Sequence, residues 1–382
     1  MYDVIVVGGG PCGSAAARFC AESGLKVLVL EEHASIGYPV QCAGLLSCNA
    51  FDECRVTERS VFQEVSGAKI ISSGGSVLEF DSGKTKAYVV DRAALDREMA
   101  ENAANAGAEF RLKSYVCGAE NGRVFVRGQS GREEIPAKMI IAADGPRSVL
   151  SRCYGLKRQE MILSGAQAEV SFPGFHNLVE IYPGASEDFF GWVIPAGEGR
   201  ARVGLCGGEN VPQRFSEFLK RFGSGNVHLV SGTIPLGVMP KTYHDRTLFV
   251  GDAAGFAKPT SGGGIYTGVR SAFHASETAL ECIEKDSFSD SDLKRYEGRW
   301  KADFGRELKI GMMMYKMRRN LPDDRIDDIC RILSRPDIRD DIIKYGDMDR
   351  PGVIIRKVLK RPAVVKALGL AACMEIKSVF SS

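Results

Sequence analysis

Long apolar runs are absent from this sequence of 382 residues, and a large excess of charge of one sign is absent too. A membrane-spanning helix needs about 20 consecutive apolar residues, and no run approaches that length, so we expect a cytoplasmic protein that lies at most on a membrane surface. A strand is predicted from residue 2 onwards, which leaves no room for a signal peptide. The net charge of +2 gives no reason to expect nucleic acid as a partner.

Metal-site spacings are missing as well. The sequence has eleven cysteines but no CxxC pair, and the equal intervals between Cys42, Cys48 and Cys54 match neither zinc nor iron–sulfur ligand sets. An odd number of scattered cysteines is typical of reduced thiols in the cytosol rather than of a secreted disulfide framework. We therefore predict reduced thiols and no metal site.

What the sequence does contain begins with a β-α-β unit. Tyr2–Val7 is apolar apart from Asp3, as a strand buried on both faces requires. Pro11–Ser23 is rich in alanine and is followed by Gly24, a common helix terminator. Lys26–Glu32 is a second, mostly apolar strand, and we expect the two strands to be parallel neighbours.

The turn between the first strand and the helix has the GxGxxG pattern. Gly8 permits the tight turn, Gly10 lets the backbone approach a pyrophosphate, and Gly13 allows close packing of the helix on the strand. The helix N-terminus offers N–H groups and partial positive charge to phosphates. Glu31 ends the second strand, where a carboxylate can bind both hydroxyls of an adenosine ribose.

This pattern predicts half of a dinucleotide site, although a purely structural turn is the alternative. Its predicted contacts are Gly8, Gly10, Pro11, Cys12, Gly13, Glu31 and Glu32.

A strand, a glycine turn and a helix recur at residues 248–265. The apolar strand delivers Asp252, whose carboxylate can hold a ribityl hydroxyl near the pyrophosphate. The N–H groups of Gly263 and Gly264 can face the N1–C2=O edge of a flavin, where negative charge collects on reduction. Alone, these glycines could form a flexible loop, but paired with the first motif they predict the other half of one FAD site. The predicted contacts are Gly251, Asp252, Gly262, Gly263, Gly264 and Ile265.

The segments between the motifs have the composition of antiparallel sheet. Short β-rich pieces and glycine turns occupy residues 59–90 and 161–240, and the chain becomes helical and charged after Glu284. The sequence predicts an α/β fold (α+β overall), in which a Rossmann-like FAD-binding domain is interleaved with an antiparallel β-sheet substrate domain. The predicted ranges are 1–58, 91–160 and 241–284 for the FAD-binding domain, 59–90 and 161–240 for the substrate domain, and 285–382 for a C-terminal helical region.

Two further motifs complete a family pattern. Asp91-Arg92 opens a predicted helix, and Asp144-Gly145 follows a predicted buried strand. With the two glycine motifs, in this order and spacing, they resemble the FAD-dependent glutathione-reductase-like superfamily, in the branch that contains aromatic hydroxylases and geranylgeranyl reductases. The resemblance implies that Arg92 reaches the FAD and that Asp144-Gly145 supports the cofactor fold. A surface charge and a strand-end turn are the alternatives.

Two segments resemble geranylgeranyl reductases in particular. Gly37–Gly44 is similar to the segment that brings a cysteine beside the isoalloxazine in that family, which implies that Cys42, Ala43 and Gly44 contact the cofactor. Phe190–Pro195 is similar to the family's Tyr/Phe-x-Trp-x-Phe-Pro element. Two positions depart from the family pattern. Cys42 is followed by Ala-Gly rather than Gly-Glu, and Gly204-Leu205-Cys206 stands where the family has Gly-x-Gly.

The resemblance implies an FAD-dependent oxidoreductase that reduces isoprenoid C=C bonds of a prenyl lipid by hydride transfer from flavin N5. Phe190, Trp192 and Ile194 would pack the prenyl chain in a dry cavity, and Cys42 would act as a proton donor or as packing. The sequence contains one dinucleotide fingerprint, which FAD occupies, so the external reductant, NAD(P)H or ferredoxin, would bind transiently.

Other functions and contacts stay open. The alternatives are a flavin-dependent hydroxylase or halogenase, and a membrane-associated electron-transfer flavoprotein with a redox protein partner. Residues 350–382 carry seven basic side chains against one acidic one, and such a segment either lies on anionic lipid headgroups or packs on the protein's own core. The methionines at positions 312, 313, 314 and 317 are expected to fill a core or a cavity wall.

Overall fold

Eighteen strands and twelve helices make up the described part of the chain in the computed structural model, which covers residues 1–129, 131–157, 159–172, 177–223 and 228–368. The strands are β1 (Tyr2–Val7), β2 (Val27–Leu30), β3 (Leu45–Ser47), β4 (Val61–Val65), β5 (Gly67–Ile71), β6 (Val77–Asp81), β7 (Ala87–Val90), β8 (Glu109–Arg111), β9 (Tyr115–Glu120), β10 (Arg123–Gly128), β11 (Gly131–Ala142), β12 (Met161–Ser171), β13 (Leu178–Tyr182), β14 (Gly191–Pro195), β15 (Arg200–Gly207), β16 (His228–Leu236), β17 (Tyr243–His244) and β18 (Thr247–Phe249). The helices are α1 (Pro11–Glu22), α2 (Cys48–Cys54), α3 (Arg92–Asn105), α4 (Val149–Cys153), α5 (Val211–Leu219), α6 (Ile265–Glu284), α7 (Asp290–Trp300), α8 (Arg306–Arg319), α9 (Asp323–Leu333), α10 (Pro336–Tyr345), α11 (Gly352–Val358) and α12 (Pro362–Leu368).

The central sheet is built on parallel strands, as their apolar runs predict. Its order is β17-β18-β11-β1-β2-β8, and β9 and β10 extend it as an antiparallel hairpin on β11. β1 pairs in parallel with β2, so the predicted neighbours are confirmed. All four residues of β2 are buried, which is the burial expected of strands covered on both faces.

The register of these strands brings four chain segments to one edge of the sheet. Val7 lies opposite both Leu30 and Ala142, and Ala142 lies opposite Phe249. The residues that follow the four strands therefore emerge side by side at the carboxyl edge, which is where open α/β sheets bind ligands.

Helix α1 begins and ends close to the positions that the sequence predicts. Pro11 occupies its first turn, where a missing N–H is tolerated, and Gly24, with φ +81°, lies just beyond its end. Ala15–Ala17 are buried, and α1 packs against both α3 and α6. The small side chains allow this close packing at the sheet.

A second sheet of seven strands carries the predicted substrate domain. Its order is β16-β12-β15-β14-β13-β5-β6. The pairing is antiparallel, as expected, except between β13 and β5, which run parallel. That pair joins two segments of chain that are far apart in sequence, so no hairpin determines its direction. A separate three-stranded sheet, β3-β7-β4, combines β3 from the predicted FAD-binding range with β4 and β7 from the predicted substrate range.

The predicted fold class is confirmed, while the domain boundaries stay a prediction. Leu293, Tyr296 and Trp300 of α7 pack into the same core as the parallel sheet. The helical region that we expected from residue 285 is therefore continuous at its start with the FAD-binding domain.

The later helices cover both domains. Ile326 and Cys330 of α9 pack on Leu78 of β6, and Leu359, at the end of α11, packs in a cluster with Met313, Met314 and Met317. These methionines fill a core, which is one of the two roles expected for them. Within the residues that the structure describes, none of the helices has the length and apolar character to cross a membrane. Residues 369–382 of the basic tail lie outside the described residues.

Candidate cofactor and active site

The β1–α1 turn excludes side chains at two of its three motif glycines. A Cβ on Gly8 would overlap the carbonyl oxygen of Ala143, and a Cβ on Gly13 would overlap the carbonyl oxygen of Gly8. Gly10 differs, because its backbone is extended (φ −69°, ψ −176°) and a Cβ there would meet nothing within 4 Å. The fold itself does not require glycine at position 10, whereas a phosphate that approaches the backbone would.

Glu31 is held against this turn. Its carboxylate accepts hydrogen bonds from the N–H groups of Gly9 (2.7 Å) and His33 (2.8 Å), and Nδ1 of His33 lies 2.6 Å from Oε1. The residue is 8% exposed. Glu32, the other predicted contact, is exposed, so Glu31 is the better placed to receive the hydroxyls of a ribose.

Asp144 presents a free oxygen at the same edge. Its Oδ2 accepts hydrogen bonds from the N–H groups of Val149 (2.8 Å) and Leu150 (3.2 Å) and so caps α4. Its Oδ1 is buried and has no hydrogen-bond partner among the described residues. Burial raises the pKa of the Asp144 carboxyl group above its ordinary value, and the hydrogen bonds that it accepts offset this only in part. The neighbouring Gly145 has φ +71° and permits the turn.

Cys12 brings the two glycine motifs together. A Cβ on Gly251 would lie 2.6 Å from the Cys12 Sγ, and a Cβ on Gly268 would overlap it. Burial raises the pKa of the Cys12 thiol, with the charge of Asp252 adding to the effect. A neutral thiol therefore packs between the two turns, and the motifs predicted to share one cofactor lie in contact.

Asp252 follows β18 at the carboxyl edge. The structure describes no hydrogen bond to its carboxylate, whereas its backbone carbonyl accepts one from Nε2 of Gln159 (3.2 Å). Burial raises the pKa of Asp252 to about 6, although the charge of Arg92 lowers it. A partly buried carboxylate with no described hydrogen-bond donor is a group that ligand hydroxyls can satisfy.

The loop of residues 258–264 is a closed turn. The N–H of Lys258 donates to the carbonyl oxygen of Gly263 (3.0 Å), and the N–H of Gly262 donates to that of Lys258 (2.8 Å). Gly262 has φ +72° and needs to be glycine. A Cβ on Gly263 would meet only ordinary contacts, the nearest at 3.5 Å. Gly263 is thus a second glycine that the fold does not itself require.

Cys42 lies beside Arg92, and the resemblance implies that each of them contacts the FAD. The thiol is partly buried, and Gly44 N–H donates to its Sγ (3.4 Å). Arg92 is the first residue of α3 and binds Asp96 with its Nε (3.1 Å) and Nη2 (3.0 Å). Burial lowers the pKa of Arg92, but the charge of Asp96 and the contact with Cys42 raise it by more, so it ends above its ordinary value.

Arg202 was not predicted, and it clamps the loop of Cys42. Its Nη1 donates to the carbonyl oxygens of Ala43 (2.6 Å) and Val90 (3.1 Å). Its side chain is only 12% exposed, and burial lowers its pKa, which the charge of Glu169 partly offsets. An arginine of the second sheet therefore positions a loop of the first domain.

Phe190 and Trp192 form an aromatic wall on the second sheet. Their rings meet edge to face, with centroids 6.3 Å apart, and Nε1 of Trp192 donates to Oε1 of Gln167 (3.0 Å). Gly204 lies opposite Trp192 on β15, and a Cβ there would be 2.5 Å from the indole ring. Glycine at this position lets the ring lie flat on the strand.

The aromatic wall continues to the loop of the second glycine motif. A Cβ on Gly262 would lie 2.8 Å from Cδ1 of Ile234. Ile234 and Met312 pack with Phe190 and Trp192 in one apolar cluster. Cys206 is a fully buried member of that cluster. It stands where the family pattern has glycine, and its side chain fills space that a glycine would leave empty. Ile194 instead packs in the adjoining cluster, which also includes Trp192 and Ala43.

Comparisons with known proteins agree with this geometry. A family profile described as an FAD binding domain matches residues 1–209, more than half of the chain. The chain is 32% identical over 398 residues to digeranylgeranylglycerophospholipid reductase 2 of Methanopyrus kandleri, covering 96% of this chain and 98% of that one. It is 34% identical over 364 residues to the reductase 2 of the same name from Methanothermobacter thermautotrophicus, covering 88% and 93%.

The chain belongs to the digeranylgeranylglycerophospholipid reductase family. The resemblance to geranylgeranyl reductases is therefore confirmed, and the chain is an FAD-dependent oxidoreductase. Among solved structures, a geranylgeranyl bacteriochlorophyll reductase-like protein from Thermoplasma acidophilum is 30% identical with a TM-score of 0.87, covering 96% of this chain and 98% of that one. A flavin-dependent brominase, with 18% identity and a TM-score of 0.73 over 94% and 98%, shares the fold alone.

The residues at the carboxyl edge fit FAD. Gly10 and Gly263 leave room that the fold does not need. Oδ1 of Asp144 is buried without a hydrogen-bond partner among the described residues, and the partly buried carboxylate of Asp252 has no described donor. Sequence reasoning found these residues because each belongs to a local strand–turn motif. It missed Arg202 and Lys258, whose side-chain partners, the Ala43 carbonyl and Asp349, are distant in sequence.

Proposed function

We propose that this chain reduces isoprenoid C=C bonds of a prenyl lipid with FAD as its cofactor. The observation that carries the proposal is the aromatic wall of Phe190 and Trp192, which packs in one apolar cluster with Ile234. Ile234 in turn contacts the loop of residues 258–264, which we call the flavin loop. An apolar chain of prenyl groups is the kind of substrate that such a wall can pack. The relatives named above act on digeranylgeranylglycerophospholipid, as their names state.

The chain's own residues would hold FAD at both ends. The backbone at Gly10 would bind the pyrophosphate, assisted by the N-terminus of α1, and Glu31 would bind the adenosine ribose. Asp252 would accept a ribityl hydroxyl, and Arg92 would lie near the flavin. When bound, FAD supplies the two electrons of the reduction.

Positioning is the main contribution that we assign to the second sheet. An isolated C=C bond has no carbonyl group for an enzyme to polarise, so holding the bond at the right distance and excluding water must supply much of the rate. The hydrogen bond from Trp192 to Gln167 fixes the plane of the indole ring. The prenyl chain would pack on that plane.

Cys42 is the group that we propose as proton donor to the double bond. It lies on the loop that Arg202 clamps through the carbonyl oxygen of Ala43, and it contacts Arg92. The same placement also suits packing against the flavin, which is the alternative role. Replacement of Cys42 by serine, which keeps a proton, and by alanine, which does not, separates the two roles.

The external reductant would bind transiently. The sequence has one dinucleotide fingerprint, at Gly8–Gly13, and FAD occupies it. NAD(P)H or ferredoxin would therefore visit from outside to reduce the oxidised flavin, and ferredoxin would be a redox protein partner.

We also propose that the protein contacts a membrane surface through α11 and α12. Val353 is 51% exposed, and the basic residues Arg356, Lys360 and Lys366 of the same segment are exposed as well. Ile355, on another side of α11, packs in the cluster of Leu359 and the methionines of α8. The segment therefore combines a covered apolar side with a basic outer side, which suits anionic lipid headgroups.

The experiment that tests the function is an anaerobic incubation. The purified holoenzyme is reduced chemically and mixed with digeranylgeranylglycerophospholipid, and the lipid is then examined by mass spectrometry. We expect a product that has gained one H₂ for each double bond reduced. Trp192→Ala should lower the yield while FAD stays bound.

A hydroxylase or halogenase would behave differently. It would leave the lipid unchanged without oxygen and would form an oxygenated flavin when air is admitted. An electron-transfer flavoprotein would exchange electrons with a protein partner and give no altered lipid. Either outcome would overturn the proposal.

A further inference from the structure

A buried ion pair joins the flavin loop to the C-terminal region. Nζ of Lys258 lies 2.5 Å from Oδ1 of Asp349 and donates to the carbonyl oxygen of Met348 (3.0 Å). The Asp349 side chain is 0% exposed, and its Oδ2 accepts a hydrogen bond from Oγ of Ser47 (2.5 Å). One carboxylate therefore connects the flavin loop, the start of α2 and the segment between α10 and α11.

The same C-terminal segment also reaches the first turn of α6. Nη2 of Arg350 lies 3.4 Å from the hydroxyl oxygen of Tyr266, two residues after Gly264. The N–H of Gly352 donates to Oε2 of Glu307 (2.8 Å) on α8. We call residues 347–352 the clasp, because they bind the flavin loop, α6 and α8 together.

The charge of Lys258 lies beside the glycines predicted to face the flavin. A Cβ on Gly263 would be 3.8 Å from Nζ of Lys258, while the backbone of Lys258 closes the loop through both Gly262 and Gly263. A buried ammonium without a counter-ion is costly. Asp349 thus determines both where Lys258 sits and how much net charge stands next to the loop.

We propose that Asp349 is a positioning residue of the FAD site, which holds the Lys258 ammonium and thereby fixes the flavin loop. The inference rests on the proposed placement of the flavin against Gly263. It assigns to the C-terminal region a role in cofactor binding in addition to covering the two domains. It also implies that the positive charge of Lys258 would raise the flavin reduction potential if Asp349 did not neutralise it.

The test compares Asp349→Asn with Lys258→Met in the full-length chain. Each variant releases the loop, so we expect FAD to dissociate about tenfold more readily from both, because a buried pair has lost one partner. The flavin reduction potential should move in opposite directions. In Asp349→Asn the uncancelled Lys258 charge favours reduced, anionic flavin and raises the potential, whereas Lys258→Met leaves the Asp349 charge and lowers it. FAD titration and equilibration with a reference redox dye measure the two effects.

Three controls separate positioning from general stability. Lys258→Arg keeps the charge pair and should restore most of the FAD affinity lost in Lys258→Met. The double variant should bring the potential back towards that of the unchanged protein. Asp327→Asn loosens the C-terminal region elsewhere, because Asp327 accepts hydrogen bonds from Ser72 and Ser76 of the β5–β6 turn, and it should leave FAD affinity unchanged.

Unchanged FAD affinity in both single variants would overturn the inference. So would potentials that move in the same direction, or a loss of FAD in Asp327→Asn equal to that in Asp349→Asn. If Asp349→Asn does not fold, the inference is tested by Lys258→Met, which should lose FAD affinity, and by Lys258→Arg, which should restore most of it. The absence of either effect would overturn the inference. None of these measurements involves a lipid, so a failure of the proposed lipid reduction would be seen separately.

Discussion

Two adjacent glutamates end β2, and their surroundings differ. Glu31 accepts hydrogen bonds from Gly9 and His33 at the glycine turn, whereas Glu32 is exposed. We expect Glu31→Gln to weaken FAD binding by about 10- to 150-fold, because hydrogen bonds to a charged group contribute about 1.5–3 kcal/mol. Fluorescence titration of the FAD-free protein measures the change. Glu32→Gln is the matched control, and equal losses in the two variants would place the ribose elsewhere.

Asp252 should make the FAD-free protein sensitive to pH. Burial raises its pKa to about 6, so the folded protein holds this proton more tightly than the unfolded chain does. The protonated carboxyl group therefore stabilises the fold relative to the ionised one. This contribution is complete below the unfolded pKa of about 4 and is lost as the pH rises through about 6. Asp252→Asn does not titrate. Relative to this variant, the free energy of unfolding of the unchanged protein should fall by about 1–3 kcal/mol between about pH 4 and pH 7.

Urea denaturation of both proteins, freed of FAD, measures this difference at each pH. Other titrating groups are common to the two proteins and cancel in the comparison. A difference that stays constant across the range would show that the pKa of Asp252 is not raised in the folded protein.

Local motifs made part of the site predictable at the scale of single residues. Gly10, Glu31 and Asp252 each follow a strand that the sequence marks as apolar, so strand, turn and function could be read together. Arg202 and Lys258 belong to no local motif of this kind. Lys258 binds Asp349, which is 91 residues away, and nothing in a local pattern indicates a pairing over that distance.

At the scale of elements, the turn before α1 offers a sharp test of cofactor binding. A Cβ on Gly10 meets nothing in the fold, so we expect Gly10→Ala to leave the stability of the FAD-free protein nearly unchanged. A methyl group placed where the pyrophosphate approaches costs about 1–3 kcal/mol, which weakens FAD binding by about 5- to 150-fold. Thermal unfolding and FAD titration measure the two quantities.

Gly13→Ala provides the contrast within the same turn. Its Cβ would overlap the carbonyl oxygen of Gly8, so this variant should lower stability itself, by about 1–3 kcal/mol or more. If Gly10→Ala binds FAD as the unchanged protein does, the backbone at position 10 does not face the pyrophosphate.

The elements were predictable where period and composition were strong. α1, α3 and the parallel strands β1, β2 and β18, with the end of β11, were expected close to where they occur, because each is a continuous apolar or amphipathic run. The short parallel strand β8 was not expected. The β9–β10 hairpin, Tyr115–Gly128, was not expected, since it extends a parallel sheet on the far part of β11 and pairs antiparallel. The parallel pairing of β5 with β13 also escaped prediction, because it depends on how two distant segments meet.

At the scale of the whole molecule, the C-terminal region ties the two domains together. α9 packs on β6 of the second sheet, while the clasp binds the flavin loop of the first domain through Asp349. The sequence predicted helices here but not their contacts. An amphipathic pattern indicates which face of a helix is buried, but it does not indicate which part of the protein that face packs against. Met312 and Tyr315 of α8 pack with the aromatic wall, so the C-terminal region contacts both the wall and the flavin loop.

The basic outer side of α11 and α12 should bind anionic membranes. We expect Lys360→Glu combined with Lys366→Glu to lower binding to vesicles of phosphatidylcholine with phosphatidylserine by at least about tenfold, because each lysine near such a surface contributes about 1 kcal/mol. Sedimentation with the vesicles measures the bound fraction. Lys84→Glu with Lys86→Glu makes the same change of net charge on an exposed turn elsewhere. Equal losses in the two pairs would contradict a specific membrane face.

The central claim is that a flavin held between two distant glycine turns passes its electrons to a prenyl double bond packed on Trp192. The most direct measurement is the flavin absorbance of the reduced holoenzyme after rapid mixing with digeranylgeranylglycerophospholipid without oxygen. The account predicts that the oxidised flavin spectrum returns with this lipid, and that it does not return with the fully saturated lipid. Flavin that stays reduced with both lipids, or that is reoxidised equally by both, would contradict it.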